Sequence, residues 1–286
     1  MAKKDSYSDQ LAKLDKRITN REFKLLLKPR GLDRHHRITE LQVQLEELCQ
    51  ANGLLFTIPE TMNSGMRNVY FFDSLDNSLR RNKLILRVRE SRKQVWTDDW
   101  CEVTFKCRSE DINRAWQLNP LPKSDGAVRV RFKEEIVKDG PIGSIRRLYS
   151  HNAIMDQVPV ERITSRTLSH MTTVFPGMAE VNLPFEQKLG VVGNKKNKVL
   201  EACVTLGNIA FSDKVHAHCE IAIWFHTVGD PMIGELAFAY RVHKSNRKDI
   251  DAHRLADEFF KKLQQFFAKD IALGTTKTAM IYGSKE

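Results

Sequence analysis

The spacing of apolar residues divides the chain into helical and extended segments. Over residues 38–51 and again over 249–271, apolar residues recur every three or four positions, which predicts two amphipathic helices. Elsewhere charged and apolar residues tend to alternate, as in a sheet whose two faces differ. The predicted strands are 18–28, 69–73, 83–90, 102–108, 128–137, 199–206, 218–226 and 233–242.

The remaining segments are predicted as connections or short elements. A polar lead-in covers residues 1–17, and turn-rich connections cover 109–127 and 138–153. Three further predictions complete the chain: a helix over 162–173, a loop or insertion over 176–198, and a last short strand over 277–282. Because strands outnumber helices and most connections are short, the pattern favours an α+β protein with an antiparallel barrel or sandwich and helices outside it.

Charged side chains line one face of five predicted strands, since residues two apart in a strand share a face. The opposite faces carry residues such as Phe23, Leu86 and Phe105, which require burial. The charged rows are Glu22, Lys24 and Lys28; Arg87 and Arg89; Glu102, Lys106 and Arg108; Arg129, Arg131, Lys133 and Glu135; and Glu235 with Arg241. Two arrangements fit these rows: a sandwich with solvated charged faces, or a closed barrel whose charged faces line a water-filled tunnel.

The barrel arrangement implies a bound anion. Lysines and arginines that converge inside a tunnel repel one another unless an anion occupies it, and guanidinium groups match phosphate oxygens in a bidentate way. A linear triphosphate supplies the required charge. The interleaved carboxylates Glu22, Glu135 and Glu235 are then predicted ligands of Mg²⁺ or Mn²⁺, hard cations that prefer oxygen donors and bridge to phosphate.

Composition supports an anionic partner and excludes several classes of protein. The net charge of +10 favours nucleic acid, phosphorylated metabolites or a membrane surface. No run approaches the ~20 apolar residues that span a bilayer, so a cytoplasmic protein with no membrane partner is expected. The five cysteines form no C-x-x-C pair, which disfavours a disulfide framework or a zinc site. No P-loop, G-x-G-x-x-G or G-x-S-x-G motif is present.

Several segments resemble the CYTH, or triphosphate tunnel metalloenzyme, family. The opening E-x-E-x-K motif of that family is similar to Asn20-Arg21-Glu22-Phe23-Lys24, and its W-x-x-T-x-K strand is similar to Trp100–Lys106. The most specific stretch is Tyr70–Arg89, which resembles Y-F-D-T-P-…-L-…-G-…-L-R-x-R. The closing G-x-x-x-E-x-E strand resembles Gly229–Ala237. The likeness covers about 20–137 well and 199–282 loosely.

The resemblance implies a closed antiparallel eight-stranded barrel over residues 18–286, as one domain with an insertion around 139–198. It implies that a small-molecule triphosphate or polyphosphate binds in the tunnel and is hydrolysed with Mg²⁺ or Mn²⁺. Catalytic roles would belong to Glu22, Lys24, Arg87 and Arg89, and metal binding to Glu22, Glu135 and Glu235. Substrate contacts would come from Lys28, Lys106, Arg108, Arg129, Arg131, Lys133, Arg241 and Lys277.

Two departures from the family pattern leave the activity open. Asn20 and Ala237 stand where the family has metal-binding glutamates, whereas the set of cations is intact. A hydrolase of inorganic, nucleoside or thiamine triphosphate is therefore one hypothesis. A polyphosphate or nucleotide binder that has lost part of the metal site is a second, and an adenylate cyclase is a third. Nucleic-acid binding is disfavoured, because no stacking aromatic residues interrupt the basic rows.

Overall fold

Strands make up most of the computed structural model, which describes residues 17–93, 96–123, 126–159, 167–193, 199–242 and 247–283. The eleven strands found there are β1 (Asn20–Leu27), β2 (Leu55–Thr57), β3 (Ser64–Ser74), β4 (Leu84–Lys93), β5 (Trp96–Ser109), β6 (Val128–Lys138), β7 (Ile145–Pro159), β8 (Leu189–Val191), β9 (Val199–Ala210), β10 (His216–Thr227) and β11 (Asp230–Arg241).

Six α-helices and one 3₁₀ helix lie between or after these strands in the described segments. The α-helices are α1 (His35–Gln50), α2 (Ser78–Arg81), α3 (Ile112–Gln117), α4 (Leu168–Val174), α5 (Arg247–Phe266) and α6 (Lys277–Tyr282), and the 3₁₀ helix covers Pro176–Glu180. No described helix combines the length and the apolar composition needed to cross a membrane. The two long helices predicted from the sequence are thus confirmed as α1 and α5.

All eleven strands belong to one sheet, in which nine of them form a closed ring. The pairing order is β2-β9-β10-β11-β1-β6-β7-β5-β4-β3-β8. An additional pairing of β9 with β3 closes the ring, which runs from β9 to β3 in this order. The short strands β2 and β8 extend the free parts of β9 and β3. The ring therefore has nine strands, where the resemblance implied eight.

One pairing in the ring is parallel, which corrects the expectation of a purely antiparallel sheet. β1 runs antiparallel to β11 but parallel to β6, with Glu22 opposite Glu135. The period of two that predicted these strands is the same for both directions of pairing, so the sequence pattern could not distinguish them. The α+β class, with a ring-shaped sheet and helices beside it, agrees with the pattern.

Apolar side chains on the outer face of the ring form the largest core. Phe23 of β1 is fully buried and stacks on Phe238 of β11, with ring centroids 4.5 Å apart. Phe259 and Phe260 of helix α5 pack against the same aromatic pair. Helix α1 buries its apolar side in this core as well. The side chains predicted to need burial are therefore covered from outside the ring.

A second core covers the opposite side of the ring. Phe105 of β5 packs against Phe175, with centroids 4.8 Å apart, in a cluster that includes Leu168 and Met171 of helix α4. These residues come from the segment after residue 159 that the sequence assigned to a helix and a loop. Its helix begins at Leu168, and residues 160–166 lie outside the described part of the chain.

Two local predictions are wrong. The segment 138–153, predicted as a connection, contains most of β7, a fifteen-residue strand paired with both β5 and β6. The last predicted strand, Lys277–Tyr282, is helix α6, whose first turn is capped by the Thr276 hydroxyl accepting from the Ala279 N–H. The predicted lead-in lies almost wholly outside the described residues, as does the 194–198 part of the predicted loop.

The aromatic core predicts a clear stability difference between two substitutions. Phe23→Ala removes a fully buried ring from the contact of β1, β11 and α5, and is expected to lower the free energy of unfolding by about 3–5 kcal/mol. Leu75→Ala, at a side chain that is 99% exposed, is the control and should change it by less than about 0.5 kcal/mol. Guanidinium denaturation measures both, and equal losses would contradict this account of the core.

Candidate anion-binding cavity

The inner face of the ring encloses a large polar cavity. Alternation along the strands turns one set of side chains outward and the other inward, so on β1 Phe23 is outside while Glu22 and Lys24 are inside. The cavity has a volume of about 1300 Å³ and receives side chains from all nine strands of the ring. The charged rows predicted from the sequence therefore converge on one enclosed space.

The cavity lining is strongly basic. Fourteen Lys or Arg side chains and seven Asp or Glu side chains line it, which leaves an excess of seven positive charges. Five of these cations, Lys24, Arg89, Lys106, Lys133 and Lys277, have side chains that are only 11–18% exposed, and like charges are screened less there than at an open surface. Such a lining attracts anions from solution.

Glu135 is the centre of one group of charges. Its side chain is 2% exposed and lies 3.1 Å from Lys24 Nζ, 3.5 Å from Lys106 Nζ and 2.9 Å from an Arg108 Nη. The neighbouring Glu22 accepts contacts of 3.1 Å from Lys24 and 3.2 Å from Lys133. Burial opposes ionisation of Glu22, but Lys133 and Lys24 outweigh it and lower the pKa of Glu22 to about 2. Both carboxyl groups are thus ionised.

Glu201 is the centre of a second group on β9. Its side chain is 2% exposed and lies 2.5 Å from Arg67, 3.4 Å from Arg89 and 3.5 Å from Lys277. The indole N–H of Trp224 donates to the same carboxylate at 2.9 Å, and the Lys277 ammonium lies 4.8 Å from the centre of the indole ring. Lys277 also reaches Glu235 at 3.3 Å.

Arg87 lies within reach of both groups without a carboxylate contact among the described residues. Its guanidinium donates to the Thr104 hydroxyl at 3.3 Å, and its buried Nε–H has no hydrogen-bond partner in the part of the chain that the structure describes. Burial, together with repulsion from Arg89, lowers the pKa of Arg87 to about 9. Arg131 and Arg241 also line the cavity, and neither forms an ion pair with any residue that the structure describes. These guanidinium groups have donors available for an anion.

The surroundings of Lys106 weaken its positive charge. Burial lowers its pKa to about 7, and repulsion from Arg108, Lys24 and Arg87 adds to this effect although Glu135 opposes it. The ammonium form of Lys106 therefore exists only in part at neutral pH. An anion beside it would restore the charged form.

The structure brings together all but one of the side chains that the sequence analysis singled out. The cavity lining includes Glu22, Lys24, Arg87, Arg89, Lys106, Arg108, Arg129, Arg131, Lys133, Glu135, Glu235, Arg241 and Lys277. Lys28 is the exception, because β1 ends at Leu27 and the Lys28 ammonium donates to the Lys269 carbonyl at 2.8 Å instead. The prediction of Lys28 as a substrate contact is therefore not supported by its position.

Arg67, Glu201 and Trp224 line the cavity but were not among the predicted site residues. Arg67 lies in the first half of β3, which the pattern missed because the predicted strand started at Val69. Glu201 and Trp224 occur on strands that were predicted, yet no Lys, Arg, Asp or Glu lies two positions from either of them, so no charged row marked the inner face. The pairing of Trp224 with Glu201 across β10 and β9 becomes evident only from the register.

The carboxylates of the cavity do not assemble a metal site. Among the described residues, no three Asp, Glu, His or Cys side chains come together in a group that could hold a metal ion. Glu22 and Glu135 are adjacent, but the residues opposite Glu22 and Lys24 on β11 are Ala239 and Ala237, which carry no donor. Ammonium and guanidinium groups already contact the carboxylate oxygens. The donor set therefore does not fit the Mg²⁺ or Mn²⁺ predicted from the sequence.

Similarity to known proteins is confined to structure. The sequence matches no protein-family model, and no curated protein matches it. A proposed adenylyl cyclase from Hippeastrum, described as having a dominant triphosphatase activity, is similar over 94% of this chain and 97% of its own, with 10% identity and a TM-score of 0.43. A proposed adenylate cyclase from Bacillus halodurans is similar over 93% and 100%, with 12% identity and a TM-score of 0.38. Similarity at this level assigns no activity to the chain.

The buried Glu201 group predicts a loss of stability when its charge is removed. Glu201→Gln keeps the acceptor for Trp224 but leaves Arg67 and Arg89 without their buried counter-charge, and is expected to cost about 3 kcal/mol. Glu235→Gln is the control, since Glu235 is more exposed and pairs with Lys277 alone; it should cost about 1 kcal/mol or less. Urea denaturation in a buffer without polyvalent anions compares them. Equal losses would refute the central role of Glu201.

Proposed function

We propose that the cavity binds a linear triphosphate or polyphosphate anion. The observation that supports this proposal is the excess of seven positive charges enclosed by the ring. A chain of phosphates carries several negative charges in an extended line and presents oxygen acceptors along its length. Its oxygens would match the unpaired donors of Arg87 and the arginines that lack ion pairs among the described residues.

The charge of the cavity favours an anion with several negative charges over a small anion. A single phosphate or sulfate would neutralise only a small part of the excess charge, whereas the two groups around Glu135 and Glu201 lie on different parts of the ring. An inorganic, nucleoside or thiamine triphosphate would each present the same phosphate chain to this lining. The proposed ligand is therefore defined by its phosphate chain. Binding measurements with different triphosphates would identify the organic group.

Binding is expected to depend on cavity arginines and not on nearby surface lysines. Arg87→Gln removes a charged donor that lacks a protein counter-charge, and should weaken tripolyphosphate binding at least about tenfold, since a hydrogen bond to a charged group contributes about 1.5–3 kcal/mol. Lys28→Gln also removes one positive charge, but outside the cavity, and is the matched control. Isothermal titration calorimetry measures both affinities. Unchanged binding in Arg87→Gln, or no binding by the unmodified protein, would contradict the proposal.

The affinity should also fall as pH rises above about 7. In the free protein the Lys106 amine is largely neutral above that pH, so Lys106 must take up a proton when an anion that favours its ammonium form binds. Lys106→Arg stays charged throughout and should lack this decline. The difference between the two affinity–pH profiles cancels the titration of the ligand itself. Superimposable profiles from pH 6 to 9 would show that Lys106 does not contribute.

Turnover is measured in the same preparations. Release of phosphate from a triphosphate with added Mg²⁺ or Mn²⁺ would identify a hydrolase, as the sequence resemblance implies. Release of pyrophosphate with a cyclic nucleotide would identify a cyclase. Binding without a product at any metal concentration would identify a binding protein. The hydrolysis predicted from the sequence remains a prediction, because the cavity contains the cations for binding but no assembled metal site among its described residues.

A further inference from the structure

The acidic side chains of the cavity already have protein partners. Six of the seven form ion pairs with Lys or Arg, and the seventh, Glu220, lies 3.9 Å from His218. Glu135 and Glu201 each contact three cations at 3.5 Å or less. These are the most buried carboxylates of the lining. Their oxygens would have to lose several strong contacts before they could bind a metal ion.

A divalent cation in the cavity would also be surrounded by an excess of positive charge. The lining has seven more positive than negative charges, and a metal ion near Glu135 would approach Lys24, Lys106 and Arg108. Mg²⁺ gives up its water reluctantly and requires near-octahedral oxygen ligands, which the adjacent Ala237 and Ala239 cannot provide. Repulsion from the cations and the shortage of donors act in the same direction.

Binding of a divalent metal ion also changes the charge of the ligand. A divalent ion on a triphosphate cancels two of its negative charges, and so removes part of the attraction to the basic lining. The free anion is the form that complements the excess positive charge. The carboxylates then have a different purpose: they hold the cations in place when no ligand is bound.

We infer that Glu22, Glu135 and Glu201 are built-in counter-ions and that the cavity binds its polyphosphate as the free anion, without a divalent metal. This inference rests on the proposed function. On binding, phosphate oxygens take over contacts that the carboxylates make in the empty cavity. Removing a counter-ion should therefore tighten binding, whereas removing a metal ligand would weaken it.

The first experiment compares binding of tripolyphosphate in EDTA and in millimolar Mg²⁺, by calorimetry. The expected result is binding in EDTA that is at least severalfold tighter than in Mg²⁺. Mg²⁺ alone should leave the melting temperature unchanged. Binding that appears only with Mg²⁺ would overturn the inference and leave the proposed function intact. Absence of binding under both conditions would overturn the proposed function itself, and this inference with it.

The second experiment uses neutral isosteres of the carboxylates. Glu135→Gln is expected to tighten tripolyphosphate binding about tenfold in EDTA, because it removes a charge that competes with the ligand for Lys24, Lys106 and Arg108. Glu258→Gln on the outside of α5 is the matched control and should leave the affinity unchanged. Weaker binding in Glu135→Gln would overturn the inference.

Loss of the Glu135 charge also destabilises the free protein. A second variant therefore tests the same inference in case Glu135→Gln misfolds. Glu22→Gln removes a carboxylate that is more exposed than Glu135 and has fewer partners, and should tighten binding severalfold. Both variants should gain more in melting temperature from saturating tripolyphosphate than the unmodified protein does, since the ligand replaces the missing counter-charge. A smaller gain in both would contradict the counter-ion role.

Discussion

Repulsion among cations enclosed by a ring of strands is the constraint on which this structure depends. Fourteen lysines and arginines line one cavity, and twelve of them are on strands of the ring, whose backbones cannot move apart without breaking strand pairs. Burial and repulsion from neighbouring cations lower the pKa of Lys106 and Arg87, whereas Glu135 and Glu22 outweigh burial at Lys24 and raise its pKa. The remaining imbalance makes the interior receptive to an anion of high charge, and it penalises any further cation.

Ion pairs between glutamate and arginine also stabilise the outer side of the ring. Glu134, next to Glu135 on β6, points outward and accepts from Arg21 at 2.6 Å and from Arg147 at 2.8 Å. Arg147 also reaches Asp257 of helix α5 at 2.5 Å. Two consecutive glutamates on one strand thus have separate tasks: one stabilises the attachment of the long helix, and the other counters the charges of the cavity.

Alternation of residue types predicted the strands well where each face has its own chemistry. It located β1, β4, β5, β6 and most of the cavity side chains, since charged and apolar residues there are two apart. It failed on β7, where Ser150, His151, Asn152 and Ala153 are all buried and both faces are small or polar. Neither the parallel pairing of β1 with β6 nor the contacts of Glu201 could be predicted, because periodicity identifies faces and not partners.

The position of β1 in the ring has a consequence for how the chain acquires its shape. This strand, the first of those described, pairs with β6 on one edge and with β11, the last described strand, on the other. One edge of β1 consequently stays unpaired during synthesis until residues 230–241 have been added to the chain. Ring closure is a late step built on contacts between distant parts of the sequence, which are slow to form and leave an unpaired edge exposed in the meantime.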